Sequence, residues 1–138
     1  MSYLLDTNVL SELRRKAPNP AVVAWFANRP ATTLYISVLT IGELRKGVET
    51  LADPSRRLAL LDWLETDLPH FFIGRVLPVD LAVADRWGRL VAQAGRPLPA
   101  IDSLLAATAL QHGLRLVTRN QRDFELPGLE VINPWIAG

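Results

Sequence analysis

The run Tyr3-Leu4-Leu5 ends on Asp6 and gives way at once to Thr7-Asn8-Val9-Leu10. The apolar run reads as a buried strand. Thr7 and Asn8 are residue types that cap helix N-termini, and Val9, Leu10 and Leu13 then recur at helical spacing. A strand that hands a carboxylate straight to a helix start is a junction of α/β folds, where the carboxyl ends of parallel strands face an open crevice. Taken alone, Asp6 reads as a helix cap. The same device, repeated further along the chain, gives it a second reading.

Thr33-Leu34-Tyr35-Ile36, Arg75-Val76-Leu77-Pro78-Val79, Leu114 to Thr118 and Leu129 to Ile132 are further strand-like runs. Helical patterns stand between them. The first helix is expected to end in the cations Arg14-Arg15-Lys16, before Pro18 and Pro20. Asn19-Pro20 opens a second through Trp25 and Phe26, Ser37 caps a third that runs to about Leu51, and Asp53-Pro54-Ser55 starts a fourth that Pro69 ends. Asp80 caps a fifth, broken at Gly95-Arg96-Pro97-Leu98-Pro99. Residues 100–112 form a sixth, rich in alanine, with Gly113 as its stop. Small residues let that helix approach a sheet closely. Strands alternating with helices imply an α/β fold with a mostly parallel sheet of about five strands, right-handed crossovers and helices on both faces.

At 138 residues the chain supplies one domain, 1–138, and can bury about two thirds of its unfolded surface. A hydrophobic content of 49% excludes disorder; it either fills the core well or leaves apolar surface for a permanent partner. Fifteen Lys and Arg against 14 Asp and Glu leave a net charge of +1, so any polyanion must be held by a local patch. The absence of cysteine rules out disulfides and thiolate metal sites and fits a reducing compartment. No apolar run approaches the ~18 residues of a membrane span, and the N-terminus lacks a signal-peptide pattern. The protein is therefore expected to be soluble and cytoplasmic.

Several acids share an address. Asp6 closes the first strand, Glu43 lies in the helix after the second, Asp102 in the first turn of the sixth helix, and Asn120 and Asp123 follow the fourth strand. In a parallel sheet these positions fall at one edge. Each has a plain alternative. Glu43 sits about 120° round its helix from the Ile41, Leu44, Val48, Leu51 stripe and reads as a flank residue, within reach of Lys46. Asp102 suits a helix N-terminus, and Asn120 and Asp123 are common turn formers. Their joint occurrence is harder to explain without chemistry, because converging carboxylates raise one another's pKa unless a cation neutralises them. An all-oxygen donor set, with His70 and His112 away from the strand ends, points to Mg²⁺, or Mn²⁺ in its place, over zinc or copper. Arg115, Arg119 and Arg122 are candidates for tracking a phosphate backbone, or are solvated surface charges. Thr7 and Asn8, with the free N–H groups of the first helix, can hold a phosphate oxygen.

The segments Leu4-Leu5-Asp6-Thr7-Asn8-Val9-Leu10, Ile41-Gly42-Glu43-Leu44 with Gly47, Asp102-Ser103-Leu104-Leu105-Ala106-Ala107-Thr108-Ala109, and Leu116-Val117-Thr118-Arg119-Asn120 with Asp123-Phe124 resemble the four motifs of PIN-domain nucleases. More narrowly, the chain resembles VapC-type toxins of the FitB-like branch, to which the terminal Asn133-Pro134-Trp135 is also similar. The resemblance implies a PIN-like three-layer α/β/α fold and a Mg²⁺-dependent endoribonuclease that leaves 5′-phosphate and 3′-hydroxyl ends. It also implies a homodimer, neutralised by a VapB-type antitoxin that in such families often inserts a basic side chain among the acids. Asp6, Glu43 and Asp102 match the acidic positions and would be catalytic metal ligands. The fourth acidic position falls on Asn120, with Asp123 three residues later as a further ligand through water.

Two rival classes with acids at strand ends fit less well. A haloacid-dehalogenase phosphatase needs an acid where Asn8 stands, and a response-regulator receiver needs a late lysine, whereas the lysines here are Lys16 and Lys46. The remaining alternative is a catalytically weak PIN-like protein that binds RNA or an antitoxin. The apolar and aromatic residues Trp25, Phe26, Leu61, Trp63, Phe71 and Phe72 are either a groove for that antitoxin or core.

Overall fold

The computed structural model describes residues 1–136. Its five strands, β1 (Tyr3–Leu5), β2 (Leu34–Ser37), β3 (Val76–Leu77), β4 (Arg115–Val117) and β5 (Val131–Ile132), form one sheet in the order β3-β2-β1-β4-β5. Every pairing is parallel, with Leu4 opposite Tyr35 on one side and Leu116 on the other. β1 is thus the central strand, and all three of its residues are buried, as a parallel strand covered on both faces requires.

The alternation of side chains along β1 divides the core in two. Tyr3 and Leu5 pack with Val9, Leu34, Ile36, Leu64 and Phe72 on one face; Leu4 packs with Val83, Leu105, Leu116 and Phe124 on the other. The first face is covered by α1 (Thr7–Leu13), α2 (Pro20–Ala27) and α3 (Val38–Glu49), with α4 (Pro54–Asp62) outside them against α3, and by the stretch Trp63–Asp67 and α5 (Leu68–Phe71). The second is covered by α6 (Leu81–Ala94) and α7 (Ala100–His112). The result is the expected three-layer α/β/α arrangement with a parallel sheet. Ala106, Ala107 and Ala109 of α7 are fully buried, which is how that helix comes close to β1 and β4. The indole N–H of Trp87 donates to Ser103 Oγ at 2.8 Å and ties α6 to α7.

Two local expectations need correction. The first helix stops at Leu13, so Arg14, Arg15 and Lys16 lie beyond it; Arg14 caps it and stacks over Trp63 at 5.1 Å. Pro69 does not end the fourth helix. After Asp62 the chain makes a π turn over Trp63–Asp67 and continues as α5, whose first turn holds Pro69 where a missing N–H is tolerated. The helical run ends at Phe71, and the turn that follows closes at Gly74, whose φ of +74° suits glycine. The aromatic residues are largely core: Trp25 and Phe72 are buried, Phe26 and Trp63 pack against the same cluster, and only Phe71 is exposed. On the exposed surface Glu65 pairs with Arg45 at 2.9 Å.

Close packing of α7 yields a direct test. Ala107→Leu forces extra volume between helix and sheet and is expected to destabilise the protein by about 1–3 kcal/mol in urea denaturation. An unchanged midpoint would mean that the helix stands further from the sheet.

Candidate active site

Asp6 leaves the carboxyl end of β1 and does cap α1: its Oδ1 accepts the Thr7 N–H at 2.7 Å. Its other oxygen faces the neighbouring strand. Oδ2 accepts the Thr118 hydroxyl at 2.8 Å and lies 3.4 Å from Asn8 Nδ2. Thr118 is fully buried just past β4, and its Oγ1 also accepts from Asn8 Nδ2 at 3.2 Å and from the Asn120 N–H at 3.1 Å. Asn8 Oδ1 in turn accepts the Arg119 N–H at 3.4 Å. The carboxyl ends of β1 and β4 are therefore laced together by side chains beyond the reach of the strand ladder.

Glu43 arrives from the second turn of α3. The Thr7 hydroxyl donates to its Oε1 at 2.5 Å, and the buried Thr40 Oγ1 lies 3.4 Å from Thr7. The alternative pairing with Lys46 is not made among the described residues. Asp102, half-buried in the first turn of α7, completes the rim. Asp6, Glu43, Asp102 and Asn120 line one cleft of about 500 Å³, together with Arg119 and Trp135.

The electrostatics follow from that crowding. Asp6 is 7% exposed, and its pKa is pushed up to about 6. Burial is the main cause, opposed by the Thr118 and Thr7 hydrogen bonds and reinforced by the charges of Asp102 and Glu43. Asp102 is also raised, first by burial, then by Asp123 and Glu43. The acids thus sense one another. Even so, among the described residues no three of them are drawn tightly enough to make a closed cage. An open set of oxygen donors on a rigid sheet edge, mutually repelling and partly desolvated, fits a hard cation that keeps several of its own waters, as Mg²⁺ does.

The other expected positions divide. Asn120 and Arg119 line the cleft, whereas Asp123 stands in the 3₁₀ turn Gln121–Phe124 and reaches the cleft only through its charge on Asp102. Arg122 is exposed in that same turn and is not among the cleft residues. Arg115 lies at the opposite edge of the sheet, where it pairs with Glu130 at 2.7 Å. The side chains of Thr7 and Asn8 are committed to Glu43, Asp6 and Thr118. Sequence reasoning missed Thr118, Thr40, Glu12 and Trp135. A hydroxyl residue directly after a strand, at the position equivalent to Asp6, was the available signal for Thr118. Nothing local marks a buried glutamate in α1 as a cleft residue.

Fold and cleft together define an α/β protein with its acids at the carboxyl edge of a parallel sheet. The PIN domain matches residues 3–128, and the chain belongs to the PIN-domain family. Within that family it resembles the VapC ribonuclease Y4jK of Sinorhizobium fredii, 41% identical over 96% of each chain. Toxin FitB of Neisseria gonorrhoeae is 39% identical over 96% of this chain and 97% of its own. Among solved structures, FitAcB from Neisseria gonorrhoeae superposes with a TM-score of 0.90 at 38% identity, covering 97% of this chain and 99% of that one. A toxin–antitoxin complex from Klebsiella pneumoniae superposes at 0.69 with 28% identity over 96% and 98%.

The raised Asp6 pKa makes stability depend on pH. Below the ordinary value of 3.8 both folded and unfolded states keep the proton; between 3.8 and about 6 only the folded state does. Stability of the metal-free protein therefore falls as pH rises through this window, and the penalty is complete above it. Asp6→Asn removes the charge and is expected to stabilise the metal-free protein at pH 7 by up to about 3 kcal/mol, with the gain gone near pH 4. Thermal melts in EDTA at the two pH values test this, and equal destabilisation at both would contradict it.

Proposed function

We propose that this chain is a Mg²⁺-dependent endoribonuclease toxin of the VapC type, neutralised by a VapB-type antitoxin. The observation that carries the reading is the meeting of Asp6, Glu43 and Asp102, from three distant segments, in one cleft. The names of its relatives, a VapC ribonuclease and a FitB toxin, support the reaction, and the toxin–antitoxin complex supports the partner. Asp6 and Asp102 would hold the cation directly or through water, Glu43 would complete the shell, Asn120 would take the fourth position, and Asp123 would add negative charge from outside. A bound Mg²⁺ would make water a better nucleophile and offset charge on the scissile phosphate.

The protein's own part is to hold these groups still. Thr118 and Asn8 fix the Asp6 oxygen that faces β4, and Thr7 fixes Glu43, so the carboxylates are aimed before any ion or RNA arrives. Arg119 sits at the cleft rim on the side an incoming RNA strand would take; Arg122, on the turn beyond, extends the same positive edge toward its phosphates. At the start of α1 the Thr7 and Val9 N–H groups are taken by Asp6, so a phosphate oxygen beside Thr7 and Asn8 would rest on the Asn8 N–H.

The chain acts as a homodimer in the cytoplasm. Exposed Val38 and Ile101, which line an apolar cleft of about 680 Å³ opening beside Glu43, support the dimer. The lack of cysteine supports a reducing compartment, and among the described residues no helix is long and apolar enough to cross a membrane. One observation favours a second reading: Asn120 stands where a fourth acid is expected, which suits a PIN-like protein that binds RNA or an antitoxin and cuts weakly.

Cleavage of labelled RNA separates the two. Activity should require Mg²⁺ or Mn²⁺, vanish in EDTA, and fall at least a hundredfold in Asp6→Asn, matching the ~3 kcal/mol lost with one key group in a site. Cleavage that survives in Asp6→Asn overturns the assignment. Mn²⁺ should also raise the melting temperature of the wild type by mass action on the folded state, and by less in Asp102→Asn. A flat melting temperature across Mn²⁺ concentrations would show that no ion binds.

A further inference from the structure

The Asn133-Pro134-Trp135 turn comes back to the acid cleft from the far end of the chain. Asn133 is buried and braces the turn from both sides: its Oδ1 accepts the Trp135 N–H at 2.9 Å, and its Nδ2 donates to the Arg119 carbonyl at 3.3 Å. Arg119 is held from the other side by Asn8 Oδ1, which accepts its N–H at 3.4 Å. The Trp135 ring forms part of the cleft wall, and the Arg119 guanidinium sits over it, 5.3 Å from the ring centroid. The indole edge is anchored toward Glu12, a buried acid whose chief partner is the Asn19 N–H at 2.9 Å. Both members of the stack are therefore tied to the framework that positions Asp6.

This arrangement does more than fill space. Among the described residues no carboxylate pairs with Arg119, and the residue is exposed, which leaves the far side of the stack to solvent. A planar cation backed by an aromatic ring is the kind of surface on which unpaired bases stack, whatever their identity.

We infer that Arg119 and Trp135 form a stacking ledge for one nucleobase of a single-stranded RNA, beside the acids that act on its backbone. The inference rests on the nuclease reading for the choice of RNA. The ledge selects for single strands, because a base can reach it only after leaving its own stack. Recognition there is tolerant of base identity, because every base offers a flat face, and preference among bases falls to other contacts.

The test compares binding of a short fluorescent single-stranded RNA with binding of the same sugar–phosphate chain stripped of its bases. Anisotropy is measured on the full chain in Ca²⁺. Arg119→Lys keeps the charge, loses the plane, and lies at an exposed position. It is expected to weaken intact RNA by about tenfold while leaving the baseless chain within about twofold. Trp135→Leu should repeat that pattern, and Trp135→Phe should retain most of the affinity. The ledge is overturned if Arg119→Lys binds intact RNA like the wild type, if it loses equally on the baseless chain, or if the wild type itself does not prefer RNA with bases. Mg²⁺-dependent cleavage is scored separately. A base-dependent loss without cleavage by the wild type retains the ledge and removes the nuclease; cleavage without that loss does the reverse.

Discussion

A single hydrogen bond between neighbouring strand ends organises the acidic edge of this protein. The Thr118 hydroxyl, buried beyond β4, donates to the Asp6 carboxylate at the end of β1. That bond fixes the direction of a carboxylate that would otherwise turn toward water, and it joins the two central strands of the sheet where their backbone ladder stops. Asn8 and Asn120 attach to that same pair of residues, and Arg119 attaches through Asn8, so the loop after β4 is built on the Asp6 position. The geometry of the cleft follows from strand register: Leu5 lies opposite Val117, which places the next residues, Asp6 and Thr118, side by side.

The bond is favourable, but burying the Asp6 charge there costs stability. A carboxylate that is 7% exposed and faces two others is worse off folded than unfolded, and its hydrogen bonds only partly offset the burial. The sheet tolerates this because its two cores are apolar and closely filled, with Leu4, Leu5, Leu34, Ile36 and Leu116 fully buried around the site. The strain is electrostatic and local, and a divalent cation among the acids would relieve it. Such a trade is common where a fold keeps a reactive arrangement in place.

Much of this was legible in the chain itself. Tyr3-Leu4-Leu5 reads as a central strand because all three residues are apolar, and Asp80, Gly113 and the alanines of α7 mark their helix with little ambiguity. The meeting of Asp6 and Asp102 followed from the rule that positions after parallel strands share an edge. What escaped has physical causes. Helix ends were misjudged where a tertiary contact intervened: Arg14 leaves its helix to stack on Trp63, and Pro69 survives inside a helical run because a π turn precedes it. Thr118 and Glu12 look like an ordinary strand former and an ordinary helix surface residue; only the folded chain shows them buried. Trp135 carried a family resemblance and no role, since its place beside Arg119 depends on a turn held by Asn133.

The central claim is that carboxylates from β1, α3 and α7 serve one ion. Mn²⁺ binding followed by electron paramagnetic resonance reads this directly, since free Mn²⁺ gives a signal that binding broadens. A shared site predicts saturable binding by the wild type at pH 7, weakened at the same site by Asp6→Asn, Glu43→Gln and Asp102→Asn, with each double variant little worse than its weaker parent. Binding that ignores two of the three substitutions, or losses that simply add as for independent sites, would contradict it.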